Sequence, residues 1–403
     1  MRASFWLCCG IALSACAPTS PSGGSADSTQ SAPAPTLRVA TYNTSLYDDA
    51  AGGLIARLEN GDDDARRIAA VIQHVRPDIV LLNEFDYDEG LRAAELFQRD
   101  YLEVGQHGQS PIRYEHRYSA PVNTGEPSGL DLDNDGKTDG PGDAWGFGRH
   151  PGQYGMLVLS RFPIDSVGVR SFRRFLWKDL PEARRPVFPD SGEPFHSDAV
   201  WNALRLSSKS HWDVPIVTPL GLVHLLAAHP TPPVFDGPED RNGARNHDEL
   251  RLWTEYLSQP DAPWLRDDKG EQGGLPADAR FVIVGDMNAD PNDGDGLHEA
   301  IVQLLAHPRV SQAAAPVSAG ATEVAKRRGF ERKGDVAAHT GDFGPRVGTM
   351  RLDYVLPSRD FVVRDSGVFW PRQGETGADW VEASDHRMVW LDLALEPAAA
   401  AAR

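Results

Sequence analysis

Residues 281–288 read FVIVGDMN, a short apolar run that ends in Asp286 and Asn288. Aromatic and β-branched residues in a run of this length predict a buried strand. Three other stretches also place polar residues beside an apolar run: LRVATYN (37–43), PDIVLLNE (77–84) and SDH (384–386), which directly precedes RMVWLDL. Polar side chains where strands meet loops are typical of a functional site above a sheet.

Strands and helices alternate along the chain, which implies α/β layers around a sheet core. We predict strands at 37–43, 78–84, 154–160, 222–228, 281–286, 352–357 and 387–393, and helices at 62–75, 246–257 and 297–307. Long stretches rich in Gly, Pro, Asp and Arg near 105–150 and 165–215 interrupt this pattern. Irregular segments of that length inside a compact domain tend to be functional or ordered by metal.

The N-terminus has a different character from the rest of the chain. Arg2 precedes an apolar stretch that ends in LSAC (13–16). This is the pattern of an export signal, and it resembles a bacterial lipobox, in which Cys16 becomes the lipid-modified first residue. We predict a signal at 1–15, a flexible tether at 16–35, a folded domain at 36–395 and a disordered tail at 396–403. We therefore expect an exported protein, held at the bacterial cell envelope through the lipid on Cys16 or else secreted.

Cysteine content and charge exclude several kinds of chemistry. The three cysteines are Cys8, Cys9 and Cys16, so the predicted folded domain has no disulfide, thiolate metal site or cysteine nucleophile. The net charge of −18 repels polyanions, so we expect no strong nonspecific binding of nucleic acid. We also expect a monomer.

The chemistry of the residues beside the strands fits phosphoester hydrolysis. Glu84 offers the anionic oxygen that a hard cation such as Mg²⁺ prefers, and Asn43 offers an oxygen to a metal or an amide hydrogen to a phosphate. Asp286 and Asn288 occupy alternate positions, which lie on one side if the strand continues; an Asx turn is the alternative. An imidazole such as His386 stabilises developing phosphoryl charge if an acid fixes its tautomer.

The full series of these residues resembles the endonuclease/exonuclease/phosphatase family, metal-dependent phosphoesterases with the deoxyribonuclease-I-like fold. The resemblance covers roughly residues 37–394 and is carried by Asn43, Glu84, His229, Asp286, Asn288, Asp353, Asp385 and His386. It implies a four-layer α/β sandwich, in which two mixed β-sheets pack together and are flanked by helices.

The resemblance also implies a role for each residue. Asn43, Glu84 and Asp385 are expected beside Mg²⁺ or Mn²⁺, and Asp286 is expected to orient or deprotonate the attacking water. Asn288 would hold that aspartate or the phosphate.

The remaining roles concern the two histidines. His386 would be partnered by Asp353, although the residues alone leave open which acid does so. His229 would donate to the phosphate or protonate the leaving oxygen. His224 competes with His229 but lies within the predicted strand. Arg245 and Asn246 are read either as polar groups near the substrate or as an ordinary helix start.

A separate motif is found at 131–139, DLDNDGKTD. Its spacing matches the first nine positions of an EF-hand calcium loop at Asp131, Asp133, Asp135, Gly136 and Asp139. The twelfth position holds Gly142 instead of a bidentate glutamate, and no flanking helices are evident. The motif is therefore either an isolated calcium loop that orders the 105–150 segment or a solvated acidic loop.

These observations predict an exported metal-dependent phosphoesterase that hydrolyses a phosphodiester or phosphomonoester by in-line attack of activated water. The alternative is a noncatalytic, calcium-stabilised surface or binding module on the same fold. That alternative has no need for the full polar series. A serine hydrolase is disfavoured because no G-x-S-x-G elbow is present. Nucleic acid, lipid headgroup, sugar phosphate and inositol phosphate all remain open as substrates.

Overall fold

The computed structural model describes residues 35–329 and 331–396. The strands are β1 (Leu37–Leu46), β2 (Ile79–Phe85), β3 (His116–Tyr118), β4 (Met156–Ser160), β5 (Arg170–Ser171), β6 (His211–Thr218), β7 (Gly221–Ala228), β8 (Phe281–Asp286), β9 (Gly341–Asp342), β10 (Thr349–Met350), β11 (Asp353–Pro357), β12 (Phe361–Val368) and β13 (Val389–Leu395). The helices are α1 (Gly53–Glu59), α2 (Asp63–Val75), α3 (Arg92–Leu96), α4 (Asp198–Ala203), α5 (Arg241–Ser258), α6 (Glu299–Leu305), α7 (Ala319–Arg328) and α8 (Gly344–Val347). The predicted signal, the tether up to residue 34 and the tail from residue 397 lie outside the described residues.

Two large mixed sheets form the centre of the molecule. The first has the strand order β12-β13-β1-β2-β4-β3, and within it β1 and β2 are parallel. The second has the order β11-β8-β7-β6-β5, and within it β7 and β8 are parallel. Strands β9 and β10 form a small separate ribbon. The predicted fold class, with two mixed sheets and flanking helices, is confirmed.

Alternation along the strands produces the layers, because successive side chains point to opposite faces of a sheet. Val39 of β1 belongs to the same buried cluster as Val282 of β8, so these faces meet between the sheets. Ala40, the next residue of β1, packs instead in a cluster with α2. Ile283, the next residue of β8, packs in a cluster with α5 and α6. Each large aliphatic side chain gains about 1.5–3 kcal/mol on leaving water, which favours this four-layer arrangement.

The helix predicted at 62–75 forms over nearly the same residues. The Asp62 side chain accepts a hydrogen bond from the backbone N–H of Ala65 at 2.7 Å and caps the helix. Asp63 and Asp64 occupy its first turn, where the helix dipole favours negative charge. Arg76 ends the helix in a left-handed conformation (φ 55°). Residues next to the helix in sequence therefore set both ends of α2.

The two segments predicted as irregular contain more structure than expected. The first includes β3, and the second includes β5, α4 and the start of β6. Buried polar contacts anchor the second segment: Trp177 Nε1 donates to Asp248 of α5 at 2.7 Å, and Arg170 pairs with Asp267 at 3.0 Å. These partners are distant in sequence, so local composition did not reveal them. Within the described ranges, no helix combines the length and hydropathy needed to cross a membrane.

Candidate active site

Strand register in the second sheet brings two acids and a histidine to one level. Asp353, the first residue of β11, lies opposite Asp286, the last residue of β8. In the parallel pair, Ala227 of β7 lies beside Val284 of β8. Two residues further along, His229 is therefore level with Asp286. The strand ends predicted from separate apolar runs thus meet at one edge.

The first sheet contributes amide groups to the same place. Asn43 of β1 and Asn83 of β2 lie side by side in a parallel pair. Asn43 Nδ2 donates to Asp286 Oδ2 at 3.0 Å, and Asn83 Oδ1 accepts from the backbone N–H of Asp286 at 3.2 Å. Asp286 is consequently held by both sheets.

Three side chains converge on one carboxylate oxygen. Besides Asn43, His229 Nε2 and His386 Nε2 each lie 3.5 Å from Asp286 Oδ2. The other oxygen accepts the backbone N–H of Asn288 at 2.9 Å. Burial raises the pKa of Asp286 to about 6, against the opposing effect of the His386 charge. The arrangement therefore pairs a carboxylate suited to accept a proton with two imidazoles.

Asp353 orients the His386 ring. His386 Nδ1 lies 2.8 Å from Asp353 Oδ2, and Thr340 Oγ1 donates to the same oxygen at 2.7 Å. The Phe343 ring meets the imidazole edge to face, with 5.5 Å between the ring centroids. Burial by itself lowers the pKa of His386, but the Asp353 and Asp286 carboxylates outweigh it and raise that pKa well above its usual value. The imidazole is thus favoured in its charged form.

His229 has the opposite electrostatic setting. Burial lowers its pKa well below the usual value, and the nearby charges of Lys209 and His386 lower it further. Its Nδ1 is buried and has no hydrogen-bond partner among the described residues. The two histidines that face Asp286 therefore differ in charge, His229 being neutral and His386 protonated.

Lys209 is a site residue that sequence reasoning missed. Its side chain is 6% exposed, and it interacts electrostatically with Glu249, Glu84 and Asp286. Burial lowers the pKa of its ammonium group. Within the described part of the chain, that ammonium group donates no hydrogen bond. The polar string SSKS gave no signal of this burial, because unpaired cations are seldom buried and the burial depends on the fold.

Glu84 and Asp385 are the two acids that the resemblance predicts beside the metal. Burial raises the pKa of Glu84 to about 7, with His386 and the Asn43 amide opposing the rise. No cationic side chain of the described residues forms an ion pair with Glu84. Asp385 is half exposed, and its Oδ1 accepts from Ser45 Oγ at 3.4 Å. A partly buried carboxylate with no cationic partner among the described residues, close to a second acid, fits a hard divalent cation.

Another grouping of potential ligands lies within the site itself. The side chains of Asp286, Asp353 and His386 have ligand atoms within 4.8 Å of one another. Because Asp353 already bonds His386 Nδ1, this group is better described as a hydrogen-bonded relay than as a metal cage.

Four residues around the site have strained backbone conformations. Ser45 (φ 50°), Glu84 (φ 53°), Tyr154 (φ 56°) and Asn288 (φ 49°) all have left-handed conformations. Such conformations cost of order 1 kcal/mol or more for residues other than glycine and are common at functional sites. Ser45 also lies in a register shift of β1 between residues 43 and 46. This bulge turns the chain directly after Asn43.

The geometry of Asn288 differs from the alternating strand positions considered above. Strand β8 ends at Asp286, and the chain then turns, as the Asx alternative anticipated. The Asn288 side chain donates to the Pro230 carbonyl at 3.1 Å. It therefore supports the loop that follows His229, while its backbone N–H holds Asp286.

The other residues singled out in the sequence lie around the site. His224 pairs with Asp213 at 2.7 Å in the middle of β7 and does not join Asp286. Asn246 Nδ2 donates to the carbonyl groups of Thr231 and Met287, and Arg245 donates to backbone carbonyl groups, including that of Leu206. These two residues of α5 brace the loops beside the site.

The acidic loop forms a cluster that differs from the predicted one, which comprised Asp131, Asp133, Asp135 and Asp139. Ligand oxygens of Asp131 and Asp133 lie within 4.8 Å of one from Asp143. Asp135 instead pairs with Lys137 at 3.4 Å, and Asp139 is exposed. Asp143 Oδ1 accepts the backbone N–H of Leu132 at 2.9 Å, because a short turn at Pro141–Asp143 folds back on the loop.

A cavity of about 640 Å³ opens beside Glu84 and Lys209. Its wall includes Asp133 of the acidic loop, and its lining has more apolar than polar surface. Phe147 and Phe235 also line it and are 61% and 88% exposed. A concave, largely apolar site of this size with a few polar groups is typical of small-molecule binding sites.

Comparison with known proteins gives the class. Residues 40–386 match the model of the Endonuclease/Exonuclease/phosphatase family, so the chain belongs to that family, as predicted. The family consists mostly of metal-dependent phosphoesterases. No curated protein matches the chain.

Several solved structures are similar over most of this chain. An endonuclease/exonuclease/phosphatase from Beutenbergia cavernae is 22% identical, with 91% of this chain and 74% of that chain covered and a TM-score of 0.49. Sphingomyelinase C from Streptomyces griseocarneus is 20% identical, with 89% and 99% covered and a TM-score of 0.45. Beta toxin from Staphylococcus aureus is 14% identical, with 89% and 100% covered and a TM-score of 0.42. Because all three TM-scores are below 0.5, the family assignment rests on the family match.

Proposed function

We propose that the protein is a metal-dependent phosphoesterase that hydrolyses small phosphodiesters or phosphomonoesters with an activated water. The observation that carries this proposal is the convergence of Asn43, His229 and His386 on one oxygen of Asp286, with Asp353 behind His386. A binding module has no evident use for a carboxylate and two imidazoles of opposite charge state in one buried centre.

The roles follow from the charge states. Asp286 accepts a proton from the attacking water, since burial raises its pKa to about 6, near neutral pH, against the lowering effect of its hydrogen-bond donors. Protonated His386 donates from Nε2 to a nonbridging phosphate oxygen, and neutral His229 donates a second hydrogen bond to the phosphate. The bond from phosphorus to the water oxygen forms as the bond to the leaving oxygen breaks. The leaving oxygen takes a proton from solvent, Asp286 returns its proton to solvent, and one water is consumed for each ester.

The metal side of the centre would be formed by Glu84 and Asp385, with Asn43 beside them. When bound there, Mg²⁺ or Mn²⁺ supplies positive charge that neutralises the phosphate and the developing transition-state charge. The other catalytic roles belong to side chains of the protein. Lys209 is placed to contact the phosphate where it enters the cavity, because its ammonium group lies near both Glu84 and Asp286.

The cavity supports a small ester with an apolar group more strongly than it supports long nucleic acid. Its aromatic rim, Phe147 and Phe235, suits an apolar moiety. The net charge of −18 disfavours polyanions. Both features act on substrate choice and leave the chemistry at phosphorus unchanged.

Turnover of a substrate panel tests this proposal. Purified protein would be assayed with p-nitrophenyl phosphate, bis-p-nitrophenyl phosphate, phospholipid headgroup esters and plasmid DNA, with Mg²⁺ or Mn²⁺ and with chelator. We expect metal-dependent turnover of small esters and its loss in His386→Ala and Asp286→Asn, with circular dichroism confirming the fold. Turnover that persists unchanged in folded His386→Ala would show that the centre described here is not the catalytic one.

Calcium binding belongs to the same proposal as a structural role for Asp131, Asp133 and Asp143. Asp131 Oδ1 is buried without a hydrogen-bond partner among the described residues, which supports a bound cation. Calcium should then raise the unfolding temperature of wild type and have no effect on Asp143→Ala. If calcium stabilises the chain while no phosphoester is turned over, the noncatalytic calcium-stabilised module becomes the better description.

Export, anchoring and monomeric state are also proposals, supported by the sequence features of residues 1–35 and by the charge. Expression of the full chain and of Cys16→Ser in a bacterium, followed by fractionation and mass analysis of the N-terminus, tests the lipid anchor. We expect Cys16→Ser to leave the membrane fraction. Gel filtration of the mature domain tests the monomer.

A further inference from the structure

A second group of buried ligating side chains lies outside the proposed catalytic centre. It consists of Asp290, Asp293 and His339, which are 4%, 9% and 1% exposed. Their carboxylate and imidazole ligand atoms lie within 4.8 Å of one another. Asp290 and Asp293 are in the loop after β8, and His339 directly precedes the residue that supports Asp353. None of the three takes part in the chemistry proposed above.

His339 gives the group a free ligand atom. Its Nδ1 lies 2.8 Å from Thr349 Oγ1, whereas its Nε2 is buried and lacks a hydrogen-bond partner within residues 35–329 and 331–396. Burial lowers the pKa of the ring, so it is neutral at pH 7. A buried polar atom without a partner destabilises the fold, because it has lost its hydrogen bonds to water, at a cost in free energy. A cation bound to Nε2 removes that cost.

The two carboxylates are held as metal ligands usually are. Asp290 Oδ2 accepts the backbone N–H of Arg351 at 2.8 Å. Asp293 accepts the backbone N–H groups of Lys333 and Gly334 at 3.1 and 2.9 Å. Asp290 Oδ1 already accepts the backbone N–H groups of Asn292 and Asp293. A carboxylate oxygen has two lone pairs, so Asp290 Oδ2 and the two Asp293 oxygens each keep one for a further bond. Hydrogen bonds of this kind orient ligating oxygens before the cation arrives.

We propose that Asp290, Asp293 and His339 form a structural site for a zinc-class divalent cation. One neutral imidazole and two carboxylates are a ligand set for zinc or a similar first-row metal, while Mg²⁺ and Ca²⁺ prefer oxygen ligands throughout. Arg332 adds one positive charge near Asp293 and His339. Two carboxylates exceed that single charge, so the site retains net negative charge for a cation.

The position of the site suggests what the cation stabilises. Thr340, the residue after His339, donates to Asp353 Oδ2 at 2.7 Å and accepts the backbone N–H of Asp353 at 3.0 Å. Arg351, which bonds Asp290, lies two residues before Asp353. The cation would thus join the loops on either side of the β11 start. This inference depends on geometry at these loops and is independent of the proposed hydrolysis.

Metal counting provides the test. The double variant Glu84→Gln, His386→Ala disables the proposed catalytic centre, and an excess of Mg²⁺ and Ca²⁺ occupies sites that have only oxygen ligands. After loading with Zn²⁺ and gel filtration, we expect one zinc per chain by elemental analysis. Loading with Co²⁺ should give visible absorption bands characteristic of imidazole and carboxylate ligation. Chelation should lower the unfolding temperature of this protein.

Adding His339→Gln to the same background should remove that zinc and the cobalt bands. His307→Gln is the matched control, because His307 is also buried but has hydrogen bonds at both ring nitrogens. It should keep one zinc per chain. The proposal is overturned if the background protein takes up no stoichiometric zinc, or if zinc is retained without His339. The first of these outcomes needs no substitution at the site, so it decides the matter even if His339→Gln fails to fold.

Discussion

His386 Nδ1 lies 2.8 Å from Asp353 Oδ2, while Nε2 of the same ring points toward Asp286 Oδ2 at 3.5 Å. The imidazole is therefore held between two carboxylates that come from neighbouring strands in register. One carboxylate fixes the ring, and the other shares the reaction space with it. Asp353 therefore positions the ring, whereas Asp286 takes part in proton transfer, and substitutions can test the two roles separately.

Asp353→Asn should reduce kcat roughly 10²–10⁴-fold, the range of a general acid or base that loses its orientation and charge. KM should change little, because Asp353 is buried behind His386 and does not face the cavity. Steady-state kinetics on the best substrate of the panel measures both constants. Asp278→Asn, an exposed position, serves as the control, and equal losses in the two variants would remove the positioning role from Asp353.

Glu84→Gln should raise the Mg²⁺ concentration that gives half-maximal activity. Substituting a residue that only supports a metal ligand typically weakens metal binding roughly 10–100-fold, and the loss of Glu84 should exceed that. The reason is that Glu84 is the partly buried acid expected beside the metal. Titration of activity against free Mg²⁺ measures the shift. The exposed Glu89→Gln should leave the curve unchanged. An unshifted curve for Glu84→Gln would place the metal elsewhere.

Lys209→Met should lower kcat/KM roughly 10–100-fold, since a hydrogen bond to a charged group contributes about 1.5–3 kcal/mol. The substitution keeps the length of the apolar stem but removes the ammonium group that lies near Glu84 and Asp286. Kinetics with an anionic phosphomonoester measures the loss. Lys178→Met is the control, because Lys178 pairs with Asp179 away from Asp286. Identical kinetics for Lys209→Met and wild type would exclude a phosphate contact.

His211 should make stability depend on pH. Burial lowers its pKa from 6.5 to about 4, with the hydrogen bond to the Glu249 carbonyl opposing the shift. A depressed folded-state pKa means that the unfolded chain binds more protons, so stability is lost as pH falls from about 6.5 toward 4. At roughly 1.36 kcal/mol for each pKa unit, the full contribution is about 3 kcal/mol.

Replacing His211 by Gln removes this titration. Between pH 7 and pH 5, urea unfolding of His211→Gln should therefore show about 2 kcal/mol less loss of stability than wild type. His74→Gln, at an exposed position of α2, should show the wild-type slope. A slope for His211→Gln equal to that of wild type would mean that His211 is already charged in the folded protein.

Local patterns were sufficient for much of the fold. Apolar runs of strand length located β1, β2, β8 and β13, and the residue pattern of 62–75 located α2, because these features depend on neighbours in sequence. The ends of the same strands carry the polar site residues, so the order of motifs also placed Asn43, Glu84 and Asp286 together. The family resemblance then supplied the partner of His386 that the residues alone left open.

The remaining features depend on contacts between distant segments. Lys209 lies near Glu84 although the two residues are distant in sequence, and the Thr340 side chain donates to Asp353 across a turn. Asp143 joins Asp131 through a short helical turn that the EF-hand spacing does not include. No periodicity or spacing in the sequence encodes contacts of this kind, so only the structure reveals them.

Because Asp286 takes its side-chain donor from Asn43 and its backbone acceptor from Asn83, the reactive carboxylate is shared between the two halves of the sandwich. A small displacement of one sheet relative to the other would separate these atoms before either sheet unfolds. On gradual heating, turnover should consequently disappear at a lower temperature than far-ultraviolet ellipticity. Thermal inactivation of this protein would then report sliding between layers instead of global unfolding.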